Sequence, residues 1–295
     1  MTSVAGVMAA IASGDAEVFD GRGVNSSYRV GRLSVKVHHP VTSTELIEAR
    51  IRRVDTALRG VSWYPPVLDL SRHGPSLVVV RPFADGQAVQ DGRPHLGELG
   101  GILRGLSAHG SDVAEDLIAD YASPWRADAD RELPRTLSVL GDHVDLAQVV
   151  QANLDGLVDA AARLSGVDIS VHHGDLHGRN LVFGNSGCTV IDWDETGFSR
   201  RPADAAKALW LSCRRARGDF QLDPPTVQRF LLASPCADAV ALARLGALWF
   251  VPTQGHVTLL AQRDVTLVPW YLGWVSRFWS RLSENLDVIA EAASR

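Results

Sequence analysis

The chain has 295 residues, enough for one large domain or two lobes with sizeable cores. Hydrophobic residues make up 46% and charged residues 21%, and the net charge is −5. This is the balance of an ordinary globular protein, and the acidic sign argues against a nucleic-acid partner. No run of about 18 uncharged apolar residues occurs, so no membrane partner is expected. The apolar start from Met1 to Ser13 lacks the basic region of a signal peptide. Cys188, Cys213 and Cys236 are too widely spaced for a disulfide framework or a zinc pattern. They read as buried free thiols in a cytoplasmic protein.

Residues 15 to 38 read as three strands joined by two turns. The first turn, Gly21-Arg22-Gly23-Val24-Asn25-Ser26-Ser27, is rich in glycine and small polar residues. Its backbone could cradle phosphate oxygens, although an ordinary hairpin turn has the same composition. Leu33, Val35 and Val37 alternate with Ser34, Lys36 and His38, which places Lys36 on the face opposite the apolar residues. Pro40 ends this strand, and Ser43 or Thr44 can cap a helix running to about Leu58. Ile47, Ile51, Val54 and Leu58 form its core face; Glu48 lies beside them and Glu45 one turn earlier. Val67–Leu70 suits a strand, and Ser76–Val80 suits a buried one ending at Arg81-Pro82-Phe83-Ala84-Asp85-Gly86.

From His95 onward the pattern is mostly helical. Leu96, Leu99, Leu103 and Leu106 mark one helix, Asp112–Tyr121 a short one, and Leu146–Leu164 a long amphipathic one. Between them Pro124–Pro134 reads as irregular. An apolar run from Val167 then enters Val171-His172-His173-Gly174-Asp175-Leu176-His177-Gly178-Arg179-Asn180. Leu181–Phe183 and Cys188–Ile191 form a hairpin around Gly184-Asn185-Ser186-Gly187, followed by Asp192-Trp193-Asp194. That geometry can bring Asp175, Asn180 and Asp192 to one rim. One carboxylate could accept a proton there, while an amide oxygen and a second carboxylate hold a hard cation such as Mg²⁺. The rival is a metallohydrolase with zinc on His172, His173, Asp175 and His177. The last hundred residues predict helices over 203–217, 225–232, 237–260 and 268–293. Trp270, Trp274 and Phe278 share one face there.

Asp, four residues, then Asn, with a later Asp after an apolar strand, matches the kinase catalytic loop and its metal-binding Asp. His-Gly-Asp-x-x-x-x-Asn together with Ile-Asp-x-Asp resembles the aminoglycoside phosphotransferase and choline kinase superfamily of small-molecule kinases. The resemblance implies an α+β, protein-kinase-like two-lobed fold. Its β-rich N-terminal lobe would span 1–85, with five strands and one helix. A larger, mainly helical catalytic and acceptor-binding lobe would span 86–295.

The resemblance also implies a chemistry, transfer of the γ-phosphoryl group of ATP or GTP, with Mg²⁺, to a hydroxyl of a small molecule. Asp175 would orient and deprotonate that hydroxyl, Asn180 and Asp192 would hold the metal, and Lys36 would pair with the phosphates. Glu48 would orient Lys36, with Glu45 as competitor. Gly23, Asn25, Ser26 and Ser27 would line the nucleotide-positioning loop. Because Pro82 lacks an N–H, adenine would meet the Arg81 carbonyl and the Phe83 N–H. Asp194 would serve a second metal or a cationic acceptor, and Glu195, Trp270 and Trp274 are further acceptor candidates. Asp204 follows a looser match to the superfamily and reads as a helix cap or loop anchor. An aminoglycoside or other antibiotic leads among acceptors, ahead of an amino alcohol, sugar or nucleoside. The protein would act as monomer or homodimer. A non-catalytic pseudokinase is disfavoured, because every expected catalytic residue is present.

Overall fold

The structure is a computed structural model that describes residues 3–19, 25–38, 44–110, 113–141, 143–166, 168–185 and 187–295, without the side chains of 126–129. The chain opens with α1 (Val4–Ser13), a helix absent from the sequence-based expectation. Ser3 caps it by accepting the Gly6 N–H, and Gly14 closes it by donating to the Ala10 and Ile11 carbonyls. Then come β1 (Glu17–Phe19), β2 (Ser26–Val30), β3 (Leu33–His38), α2 (Thr44–Ala57), β4 (Asp69–His73) and β5 (Ser76–Pro82). The five strands form one antiparallel sheet in the order β1-β2-β3-β5-β4.

Side-chain alternation explains how this sheet is covered on both faces. Val35, Val37, Val78 and Val80 point to one face and bury Val4 and Val7 of α1. Leu77 and Val79 point to the other and pack with Ile51 of α2. Each of these fully buried side chains contributes roughly 1.5–3 kcal/mol. Their pattern holds Lys36 in register opposite Val79, between two core valines.

The remaining elements are β6 (Gln87–Ala88), α3 (Leu96–Ala108), α4 (Ser123–Leu140), α5 (Val144–Arg163), β7 (Ser170–His172), β8 (Leu181–Gly184), β9 (Gly187–Val190) and β10 (Gly197–Ser199). Six helices follow: α6 (Ala203–Ser212), α7 (Pro224–Ala233), α8 (Ala239–Ala247), α9 (Gln254–Arg263), α10 (Leu267–Trp279) and α11 (Leu282–Ala293). The segment expected to be irregular at Pro124–Pro134 is helical. Pro124 occupies the first turn, where its missing N–H costs nothing, and Pro134 is accommodated inside the 18-residue α4. The helix expected over 237–260 is broken at Pro252, and Thr253 caps the restart as α9. The one expected over 268–293 breaks at Ser280 and Arg281. The expected 112–121 helix contracts to a 3₁₀ turn at Glu115–Leu117.

Two compact units result: Met1–Val89 with Glu115–Leu117 and Asn180–Asp192, and Gln90–Ala114 with Ile118–Arg179 and Trp193–Arg295. The hairpin β8–β9, placed by chain order in the second lobe, groups with the first, because β6 pairs with β8 and the Val190 N–H donates to the Trp63 carbonyl.

Candidate active site

Within the first unit, Lys36 reaches Asp192 directly. Its Nζ donates to Asp192 Oδ1 at 3.0 Å. Asp192 follows β9 in the left-handed region at φ 66°, a conformation that Asp tolerates better than most residues and that turns the chain sharply out of the strand. The Ile191 N–H donates to the Asn180 carbonyl at 2.9 Å, so the amide and the carboxylate expected to hold a metal are tied through one backbone bond. Mg²⁺ takes one or two carboxylates and completes its shell with water and phosphate oxygens. An Asn oxygen and one Asp carboxylate fit that demand.

The residues expected on the nucleotide side have the following partners in the structure. Glu48 meets Arg52 at 2.7 Å and Arg72 at 3.8 Å rather than Lys36. The acids of α2 lie along the β4 edge, with β5 between that edge and β3, and Glu45 likewise pairs with Arg72 at 2.6 Å. The Phe83 N–H, expected on adenine, donates to the Arg32 carbonyl at 2.9 Å, because sheet pairing continues one residue past Pro82. The Phe83 ring stacks on Phe19 at 5.9 Å, with the Arg29 guanidinium 4.1 Å above it. The Arg81 guanidinium donates to the Pro65 carbonyl beside the Tyr64 ring. Ser26 and Ser27 belong to β2, where Ser27 is the cross-strand neighbour of Lys36, and Asn25 hydrogen-bonds His38 at 3.3 Å. Gly23 lies outside the described residues.

Within the second unit, the catalytic loop is fixed by its backbone. Asp204, at the start of α6, accepts the His173 N–H at 2.7 Å and the Gly174 N–H at 2.9 Å, and sits 3.3 Å from His172 Nδ1. All of these groups are buried. Burial alone would raise the Asp204 carboxyl, but His172 and the His173 amide outweigh it and bring it down to about 2. Burial alone would lower His172, and Asp204 outweighs that too, so its imidazole titrates above the ordinary value. The expectation of a loop anchor at Asp204 is the one these bonds describe. Gly174 adopts φ 91°, and a Cβ there would come within 2.4 Å of the Glu195 Cβ, so no other residue fits. Gly178 is pressed against Gly92 in the same way.

This frame presents Asp175. Its N–H donates to His173 Nδ1 at 3.1 Å, and His173 packs against Trp193 at 4.5 Å. Its Oδ1 lies 2.7 Å from Lys207 Nζ and its Oδ2 3.7 Å from His177 Nε2. Burial would push the carboxyl up, but the Lys207 ammonium, joined by His177, holds it far below the ordinary carboxylate range. Asp175 is therefore ionised throughout the physiological range. The same ammonium lies 3.6 Å from Glu195 and 3.7 Å from the centre of the Trp249 ring. Lys207 does not stand out in the sequence, and Trp249 is one of five tryptophans in the last hundred residues. The signal for Lys207 is a second charge, three residues after Asp204, in an otherwise apolar stretch from Ala203 to Trp210. Asp194 is half-buried. Trp270 is 45% exposed, whereas Trp274 packs against Phe220, Trp249 and Phe250.

Histidines for the zinc alternative are already engaged, His172 with Asp204 and His173 with the Asp175 amide. Among the described residues no three His, Cys, Asp or Glu side chains converge as a metal site. No described helix is long and apolar enough to cross a membrane.

Comparison with known proteins bears on the fold and the family. No curated protein matches the sequence. Among solved structures, the amicoumacin kinase hAmiN in complex with AMP-PNP, Ca²⁺ and Ami superposes with a TM-score of 0.64 at 14% identity, over 96% of this chain and 93% of that one. A thermostable mutant of aminoglycoside phosphotransferase APH(4)-Ia, in ternary complex with ADP and hygromycin B, gives 0.60 at 16% identity, over 93% and 97%. A choline/ethanolamine kinase family protein from Mesorhizobium loti gives 0.61 at 15% identity, over 93% and 92%. At these identities the likeness establishes the fold, the α+β, protein-kinase-like architecture. A model of the phosphotransferase enzyme family matches residues 18–230, more than half of the sequence. With the fold and the His-Gly-Asp and Ile-Asp-x-Asp segments in place, the chain belongs to the phosphotransferase enzyme family, within the aminoglycoside phosphotransferase and choline kinase superfamily.

Proposed function

We propose that the protein transfers the γ-phosphoryl group of ATP or GTP, with Mg²⁺, to a hydroxyl of a small molecule, with an antibiotic as the first acceptor class to test. The observation that carries this reading is the Lys36–Asp192 pair at 3.0 Å. A carboxylate suited to a hard cation and an ammonium suited to phosphate oxygens satisfy each other, which is what the two halves of a Mg-nucleotide site would do without nucleotide. Two structural neighbours, one with AMP-PNP and amicoumacin and one with ADP and hygromycin B, support the nucleotide and the antibiotic acceptor.

In this mechanism the acceptor hydroxyl oxygen forms a bond to the γ-phosphorus while the bond to the β-bridging oxygen breaks, releasing ADP or GDP. Bound Mg²⁺ would supply charge neutralisation at the phosphates, held by Asn180 and Asp192. Lys36 would move from Asp192 to the phosphate oxygens. Asp175, weakened as a base by Lys207, accepts a hydrogen bond from the hydroxyl and orients it, taking the proton late. That order suits a loose, metaphosphate-like transfer, in which positioning matters more than base strength. The test is a panel of hydroxylated antibiotics, sugars, nucleosides and amino alcohols, assayed for acceptor-dependent release of ADP or GDP. One acceptor class should raise release well above the rate with water, and only with Mg²⁺. Release that no member of the panel stimulates would count against the proposal.

A further inference from the structure

Lys207 is fully buried, at 0% exposure, on a helix whose other residues, apart from Asp204 and Ser212, are apolar. Burying an ammonium is costly unless it is paired. Here Nζ meets Asp175 Oδ1 at 2.7 Å, the Gly174 carbonyl at 2.8 Å and Glu195 Oε2 at 3.6 Å, and lies 3.7 Å from the Trp249 ring centre. Two carboxylates, a carbonyl and an indole face are together the chemistry of an ammonium receptor. Trp249 is held edge-on against Phe250 and Trp274, so the indole face is a fixed wall.

We propose that Lys207 is a positioning and specificity-determining residue: it fills, with the chain's own cation, an ammonium cage formed by Asp175, Glu195 and Trp249. The enzyme consequently takes acceptors whose reacting hydroxyl has no ammonium on the adjacent carbon. The specificity half of this inference rests on the proposed function; the cage itself does not.

By holding Oδ1, Lys207 fixes the rotamer in which Asp175 meets its other neighbour, His177 at 3.7 Å. An acceptor hydroxyl hydrogen-bonded to Asp175 would carry a vicinal ammonium towards the Lys207 charge, and the two like charges would repel. Amines elsewhere on a larger acceptor are not penalised. Vicinal amino alcohols should therefore be poor acceptors next to the matching diols.

The test is calorimetric titration of propylammonium into wild type, Lys207→Ala and Lys207→Met. Lys207→Ala opens the cage and should bind the cation saturably, with Kd on the order of millimolar for so small a ligand. Wild type and Lys207→Met, whose cages are filled, should show no binding. A folded Lys207→Ala that binds propylammonium no better than wild type overturns the proposal. If Lys207→Ala does not fold, Lys207→Met keeps the side-chain volume and carries the test. Its kcat/KM ratio of amino alcohol to diol should rise at least about tenfold over wild type, and an unchanged ratio overturns the proposal. Cation binding needs no phosphoryl transfer. An inactive wild type alongside a cation-binding Lys207→Ala would therefore refute the proposed function and leave the cage standing.

Discussion

Replacing Asp204 with asparagine should release the catalytic loop by about 3–5 kcal/mol, the cost of breaking a buried charge pair by removing one partner. The magnitude follows from the bonds. Asp204 accepts the His173 N–H at 2.7 Å and the Gly174 N–H at 2.9 Å through separate oxygens, and pairs with His172 at 3.3 Å. An amide keeps one oxygen and turns an NH₂ towards the other N–H. One charge-assisted bond worth roughly 1.5–3 kcal/mol is lost, and a buried donor is left unsatisfied at roughly 1–3 kcal/mol. Hydrogen exchange of the peptide spanning 172–178 reads this directly. Protection at the 173 and 174 amides should fall by about 10²–10⁴-fold, at roughly 1.4 kcal/mol per factor of ten. A change under about threefold would refute the anchoring role. The pH dependence has a definite sign. Asp204, lowered to about 2, contributes stability above the ordinary carboxylate value of about 4 and loses it as pH falls through about 2. His172, raised, contributes fully below its ordinary value of about 6.5 and loses it as pH rises through its higher folded value. Wild-type stability from this pair is therefore greatest between about pH 4 and 6.5 and declines above. The decline should flatten in Asp204→Asn.

Three further outcomes are expected. Asp175→Asn should lower acceptor phosphorylation by about 10²–10⁴-fold with nucleotide affinity little changed, checked by steady-state rates beside ATP titration. Asp192→Ala should abolish Mg²⁺-dependent nucleotide binding and Asn180→Ala should weaken it; calorimetry with and without Mg²⁺ decides, and wild-type binding by both would remove the metal assignment. Because Glu48 binds Arg52 and Arg72, Glu48→Gln and Lys36→Ala should be additive in transition-state free energy to within about 0.5 kcal/mol, whereas Glu48 and Arg72 should couple. Coupling above about 1 kcal/mol between Glu48 and Lys36 would restore the lysine-orienting role.

What could be read from the sequence was whatever rests on local periodicity or spacing. Alternation of Val35 and Val37 about Lys36 gave the strand, its face and the lysine, and the Gly184–Gly187 turn gave the β8–β9 hairpin. The Asp175, Asn180 and Asp192 positions follow from spacing along one continuous segment. Features set by tertiary partners were hidden. Glu48 sits at the helical position where a lysine-orienting acid would be sought, yet which strand lies beneath it depends on the sheet order, and Arg72 is on the edge strand. The Phe83 amide was spent on Arg32 because pairing between β3 and β5 runs one residue longer than composition reveals. α1 is not legible because its residues, nine of them apolar or glycine before Ser13, carry little amphipathic contrast. Lys207 was missed because its partners Asp175, Glu195 and Trp249 are 12 to 42 residues away in sequence.

The central claim is phosphoryl transfer to a small-molecule hydroxyl through Asp175. ³¹P NMR of the protein with Mg-ATP and the best acceptor of the panel tests it most directly. A phosphomonoester resonance should grow in step with ADP, stop when Mg²⁺ is chelated, and be nearly absent with Asp175→Asn. Inorganic phosphate in place of a phosphomonoester, or full product formation by Asp175→Asn, would contradict the claim.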